Sequence, residues 1–156
     1  MLSQTTEYAL RAMAWLSLTP ETLVPTTTLA ASTQVPPHYL AKVLQQLSAA
    51  GLIHGRRGVR GGYQLSRDPG KIALIEIVQA VAEIKRITAC PLGLPSHGAG
   101  LCPLHKRIDA AAKAVIDVYS GVTLADLVSK NDGPTPLCDV NGDGTKARLT
   151  VSARPR

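Results

Sequence analysis

Two consecutive prolines, Pro36 and Pro37, constrain the folding of this chain more than any other feature of its sequence. Proline disrupts a helix interior because it lacks a backbone N–H, but it is well tolerated in the first turn of a helix. The pair therefore ends one short helix, LAAST, and begins a second one. The second helix carries an apolar stripe formed by Leu40, Val43, Leu44 and Leu47. Two helices joined by so tight a break predict a helix-turn-helix.

The segments on either side extend this pattern to a winged helix. Residues 5–18 have apolar positions spaced three and four apart, which predicts an amphipathic helix before the pair. Residues 52–54 and 63–65 predict two short strands joined by a glycine-rich turn. We call residues 52–65 the wing. The expected fold class is mainly α with a small β hairpin, a winged helix-turn-helix followed by a long helix.

That long helix begins at Pro103 and has a heptad-like apolar stripe. The stripe consists of Leu104, Ile108, Ala111, Val115 and Val118. Such a seam suits packing against an identical helix across a two-fold axis, although it could instead pack on its own domain. Another amphipathic helix is predicted over residues 72–83, and Thr123 with Asp126 predicts a capping box for a last short helix.

Basic charge is concentrated in the first half of the chain. The 156 residues carry a net charge of +6, and residues 1–71 hold seven Lys or Arg against three acids. Arg56, Arg57 and Arg60 fall within five positions of the wing, which suits a polyanionic partner. An arginine on a hairpin tip can enter the narrow minor groove of DNA, and Gly61 and Gly62 let the backbone approach closely. A merely solvated hairpin is the alternative.

In a winged helix the first turn of the 37–50 helix enters the major groove. This placement makes His38, Tyr39 and Lys42 candidate DNA contacts. Tyr39 could alternatively pack on the preceding helix. Only five aromatic residues are present, so a single-strand-binding platform of stacked rings is excluded.

Other classes of protein lack their signatures here. The sequence has neither a stretch of apolar residues long enough for a membrane span nor an export signal, so we expect a cytoplasmic protein without membrane partners. It has no phosphate-cradling glycine motif before a helix, no nucleophile elbow and no zinc-protease helix, so we expect no enzyme.

Taken together, these segments resemble the IscR/NsrR-type (Rrf-two) winged-helix transcriptional regulators. The resemblance covers about residues 1–130 and is carried by TTEYALRAM, LSAAGLI, RGVRGGYQL, IALIEIVQAV and VTLADLV. It implies a homodimer, formed through the helix from Pro103, that binds a palindromic operator in double-stranded DNA. It also implies recognition-helix roles for Tyr39 and Lys42 and a wing role for Arg57 or Arg60. The expected regions are a DNA-binding domain (1–71), a sensor loop with the dimerisation helix (72–130) and a poorly ordered tail (131–156).

Many members of this family hold an iron–sulfur cluster in the loop before the dimer helix. The resemblance assigns Cys90, Cys102 and His105 to this site, at the family's outer spacing, whereas Ser96 stands where the middle cysteine would be. A serine hydroxyl is a poor cluster ligand, so His97 or a partner-subunit residue such as Glu7 is a candidate replacement. A [2Fe-2S] cluster is favoured over a [4Fe-4S] cluster.

Zinc bound by two cysteines and two histidines, or no metal at all, are the remaining possibilities for the loop. Cys138, in the tail, is expected to be a free thiol. The expected function is that of a repressor that senses redox, iron–sulfur or nitric oxide status. The alternative is a cluster-free winged-helix repressor that responds to a metabolite, zinc or a protein partner.

Overall fold

The computed structural model describes residues 3–93, 100–129 and 136–137. Its first half contains α1 (Gln4–Ser17), α2 (Thr26–Thr33), α3 (Pro37–Ala49), β1 (Ile53–Arg56) and β2 (Gly62–Leu65). A single 3-10 turn (Pro69–Lys71) leads to α4 (Leu74–Val81), α5 (Pro103–Ser120) and α6 (Leu124–Val128). The predicted fold class, a winged helix-turn-helix with a small antiparallel hairpin and a long helix, is confirmed.

Local sequence signals explain where several helices begin and end. The Ser3 hydroxyl accepts a hydrogen bond from the Thr6 amide at 3.2 Å and so caps α1. The chain leaves α3 through Gly51, whose φ of +70° suits glycine. The predicted capping box of α6 is confirmed, because Thr123 accepts from the Asp126 amide at 3.2 Å and Asp126 accepts from the Thr123 amide at 2.8 Å.

One apolar core holds the helices together. Its largest fully buried side chains come from α1, α2, α3, the wing and the segments after it: Met13, Leu16, Leu29, Leu40, Val43, Leu44, Leu47, Leu52, Ile53, Ile72, Ile77 and Leu124. Burying one aliphatic side chain of this size stabilises the fold by about 1.5–3 kcal/mol relative to leaving it exposed. Because Ile72, Ile77 and Leu124 belong to this core, it extends beyond residue 71 into α4 and α6.

The wing differs in detail from the sequence prediction. Arg56 pairs with Gly62, so the strands run further towards the tip than residues 54 and 63. Val24 and Tyr63 exchange backbone hydrogen bonds at 2.9 Å, which adds a third segment beside β2. A Cβ on Gly62 would lie 2.4 Å from the Val24 carbonyl oxygen. Glycine at position 62 is therefore required for this close backbone approach.

The apolar stripe of α5 is largely uncovered in the single chain. This helix packs on α4, yet none of its residues is fully buried. Leu104, Ile108 and Val118 remain 63%, 46% and 67% exposed. The alternative that the stripe packs on its own domain is therefore wrong for these three residues.

The described helices include none long and apolar enough to cross a membrane. The predicted disorder of the tail, residues 131–156, stays a prediction. Except for 136–137, these residues lie outside those that the structure describes.

Candidate nucleic-acid interface and metal centre

The first turn of α3 presents an exposed polar surface. His38, Tyr39 and Lys42 are all exposed, and all three lie in the first two turns of a helix that Pro37 begins. The Tyr39 ring lies 4.3 Å from the His38 ring and 6.1 Å from the ring of Tyr8. Tyr39 is therefore supported by α1 while its other side remains open.

Tyr8 and Arg11 of α1 support this surface, and the sequence did not identify either of them. The Arg11 guanidinium lies 5.9 Å from the centre of the Tyr8 ring, and its Nη1 donates to the Thr33 carbonyl at the end of α2 at 3.4 Å. Its Nη2 donates to the Glu7 carboxylate. Helix α1 thus contacts both helices of the helix-turn-helix. No local periodicity in the sequence links Arg11 to Thr33, so only the fold shows this bracing.

The tip of the wing is a tight turn set by glycine. The Gly61 amide donates to the Gly58 carbonyl at 2.9 Å, which places Val59 and Arg60 at the centre of the turn. Gly58 has a φ of +113°, and a Cβ on Gly61 would lie 2.2 Å from the Arg56 carbonyl oxygen. These constraints make the tip narrow and direct both central side chains outward.

No carboxylate of the described residues forms an ion pair with the basic side chains at this face. Among the described residues, Arg11, Arg67 and Arg86 pair with carboxylates, whereas the three wing arginines (Arg56, Arg57, Arg60) and Lys42 form no ion pair. A cleft of about 570 Å³ separates the wing from the N-terminus of α2 and is lined by Arg56, Arg57 and Thr26 among others. Unpaired guanidinium groups beside a cleft are suited to phosphate oxygens.

A second candidate site lies at the start of α5. Cys102 is the residue that precedes the helix, and His105 lies in its first turn. The His105 Nδ1 atom is 3.2 Å from the Cys102 sulfur and 4.0 Å from the Cys90 sulfur. Two tetrahedral ligands of one metal ion are about 3.5 Å apart, given metal–ligand bonds of about 2.0–2.3 Å. The spacing and the soft donor types thus fit a metal or iron–sulfur group.

These three donors do not make a complete site. In the described part of the chain, no group of three or more His, Cys, Asp or Glu is arranged to hold a metal ion. Glu7 binds Arg11 within its own helix. The positions of Ser96, His97 and Cys138 lie outside the described residues, so the predictions for them remain predictions.

An ion pair fixes the segment before Cys90 to α5. Arg86 donates through Nε and Nη2 to the two carboxylate oxygens of Asp109, at 2.6 and 2.7 Å. The Ile87 amide also donates to Asp109, at 2.9 Å. These hydrogen bonds, with Arg86 the largest contributor, lower the pKa of Asp109 to about 2. We call this Arg86–Asp109 ion pair the latch. Asp109 lies one helical turn after His105, so the latch and the candidate metal site lie at the same end of α5.

Comparison with protein-family models gives a match over residues 2–130 to Rrf2, described as an iron-dependent transcriptional regulator. The chain belongs to the Rrf2 family. The NsrR regulator of Geobacillus kaustophilus is 30% identical over 133 residues, which are 81% of this chain and 88% of the relative. The IscR regulator of Klebsiella pneumoniae is 29% identical over 136 residues, which are 86% of this chain and 81% of the relative.

Solved structures agree with this assignment to the Rrf2 family. CymR, the global cysteine regulator of B. subtilis, has a TM-score of 0.66 at 25% identity, covering 85% of this chain and 98% of that one. The IscR of T. potens has a TM-score of 0.65 at 24% identity, covering 81% of this chain and 84% of that one. This similarity supports the fold alone. This Rrf2-family chain is a DNA-binding transcriptional regulator and not an enzyme, as the sequence predicts.

Proposed function

We propose that this Rrf2-family chain acts as a homodimer that binds a palindromic operator. The uncovered stripe of α5 supports a two-fold interface, since an exposed apolar seam on one long helix is suited to packing against its own copy. Lys42 and the three wing arginines form no ion pair among the described residues, and the first turn of α3 is open to solvent. These features support major-groove contact by α3 and minor-groove contact by the wing.

We further propose that Cys90, Cys102 and His105 hold an iron–sulfur cluster. The observation that carries this proposal is the position of the His105 Nδ1 atom, 3.2 Å and 4.0 Å from the two sulfurs. The names of the IscR and NsrR relatives and the family's description as iron-dependent add support. A cluster supplies a group that is oxidised, nitrosylated or lost as conditions change. His97, or Glu7 of the other subunit, is the candidate for the remaining ligand.

The contacts of α5 offer a route from this site to DNA. Cys102 and His105 belong to the start of α5, and Cys90 follows the segment that Arg86 fixes to the same helix. Helix α5 contacts α4, and α4 contacts both α1 and α3. A change in the separation of Cys90 from His105 therefore acts on the element that sets the spacing of the two α3 helices in a dimer.

Anaerobic purification tests the cluster directly. Visible absorption with iron and labile sulfide in the wild type supports it, and Cys102→Ser should lose both. Serine is itself a favourable helix N-cap, so this variant should still fold. Cys138→Ser is the matched control and should keep its iron. A colourless wild type without iron or sulfide after anaerobic preparation would refute the cluster.

The similarity to CymR supports a second candidate function. CymR is a global cysteine regulator, which points to a signal other than a cluster. Under this alternative the chain is a cluster-free repressor that responds to a metabolite, zinc or a protein partner. Zinc without labile sulfide in the purified protein, or no metal with operator binding intact, would favour it.

A further inference from the structure

The side chain at the tip of the wing is apolar and completely exposed. Val59 is 107% exposed, more than any other large hydrophobic residue in the described part of the chain. It lies at the centre of the Gly58–Gly61 turn, next to Arg60. Gly58, which precedes it, has no side chain that could cover it. Nothing within the described protein covers Val59.

Valine is also a poor choice for this position on local grounds. Tight turns favour glycine, asparagine, aspartate, serine and proline, whereas β-branched residues favour strands. A residue that contradicts its local structure is most often found at a functional site. Single exposed apolar residues are ordinary, but this one is at the tip of a hairpin whose three arginines form no ion pair in the described structure. The surrounding charge selects a polyanion as the partner.

We infer that Val59 is a specificity residue that enters the DNA minor groove together with Arg60 and discriminates against guanine. This inference rests on the proposed binding of the wing to DNA. The minor groove of a G·C pair carries the guanine 2-amino donor, which A·T and inosine·C pairs lack. A valine methyl against that donor removes its water without replacing the hydrogen bond, which weakens binding. Val59 therefore favours A·T or inosine·C pairs beneath the wing.

Val59→Thr tests this inference with minimal change in shape. Threonine keeps the β-branch but has a hydroxyl that can accept a hydrogen bond from the 2-amino group. A duplex of about 30 base pairs is first selected from a random library with the full-length wild type. Its pairs at the wing-facing positions, located by hydroxyl-radical footprinting, are then made either inosine·C or G·C. These two duplexes present the same major-groove edge, so only the minor groove differs.

The wild type should bind the inosine·C duplex about tenfold more tightly than the G·C duplex. In Val59→Thr this ratio should fall to about twofold, with the salt dependence of binding unchanged because no charge is lost. Equal ratios in the two proteins, or a wild type indifferent to the exchange, would overturn the inference. If Lys42→Ala and Arg60→Ala then still weaken binding, the proposed DNA-binding surface stands without Val59. If the wild type selects no duplex, the proposed function fails as well.

Discussion

Arg86 and Asp109 are 23 residues apart in the chain and form a two-pronged ion pair, with Nε–Oδ1 and Nη2–Oδ2 distances of 2.6 and 2.7 Å. Asp109 also accepts a hydrogen bond from the Ile87 amide. One carboxylate therefore fixes two consecutive residues, Arg86 and Ile87, to α5. Bidentate arginine–carboxylate geometry is more specific than a single contact. The pair holds the segment that leads to Cys90 against the helix that begins at Cys102.

Asp109→Asn should lower the melting temperature at pH 7, and the loss should shrink as the pH falls. The folded pKa of Asp109 is lowered to about 2, below its unfolded value of about 3.9. A lowered folded pKa stabilises the fold above the unfolded pKa, and this contribution disappears as the pH falls towards 2. Thermal unfolding followed by circular dichroism between pH 7 and pH 2 measures the difference.

Asp117→Asn is the matched control on the same helix. Asp117 pairs with Lys113 one turn away and both side chains are more than half exposed, so this substitution should change the melting temperature much less. If Asp109→Asn and Asp117→Asn change the melting temperature equally across the pH range, the Arg86–Asp109 pair does not fix the segment before Cys90 to α5.

Ile108→Asp should abolish self-association. Ile108 lies in the middle of the uncovered stripe, and a charge there would have to be desolvated in a two-fold interface. Sedimentation equilibrium should give about twice the 16.4 kDa chain mass for the wild type and the chain mass for the variant. Ala110→Asp, exposed but off the stripe, should remain dimeric. A wild-type monomer at micromolar concentration would argue against the interface.

Arg60→Ala should weaken binding to the selected duplex while the dimer persists. The Arg60 guanidinium has no ion pair among the described residues, so its loss costs contact with DNA rather than stability. Losing one positive charge at the DNA surface should also reduce the slope of log affinity against log salt by about 1. Lys71→Ala also removes one positive charge, but outside the wing. It should leave the affinity for the duplex and the salt slope unchanged. The wing has no role in binding if Arg60→Ala matches the wild type in affinity and slope.

Local signals were sufficient to predict most of the fold. The Pro36–Pro37 break, the stripe of α3 and the Thr123–Asp126 capping box act over a few residues, and each is present in the structure. The ends of the wing strands were less predictable. They depend on the Val24 backbone lying against Gly62, a contact between segments almost forty residues apart in sequence.

The candidate sites were predictable only in part. The family resemblance, matched to the spacing of the cysteines and histidines, pointed to Cys90, Cys102 and His105, and the structure places both sulfurs within 4.0 Å of the His105 Nδ1 atom. The same spacing could not reveal Asp109 or Arg11, since their partners Arg86 and Thr33 are more than twenty residues away. The sequence places Val59 in the glycine-rich turn, but only the structure shows that it lies at the centre of that turn and is completely exposed.

The central claim is that the state of the cysteine and histidine site controls operator affinity. The most direct measurement is the dissociation constant for the selected duplex, compared anaerobically between iron–sulfur-loaded and metal-free full-length protein at the same salt concentration. Coupled sites typically change affinity by about 5–150-fold, so we predict at least a fivefold difference. Equal affinities for a protein shown to carry iron and sulfide and for its metal-free form would contradict the account.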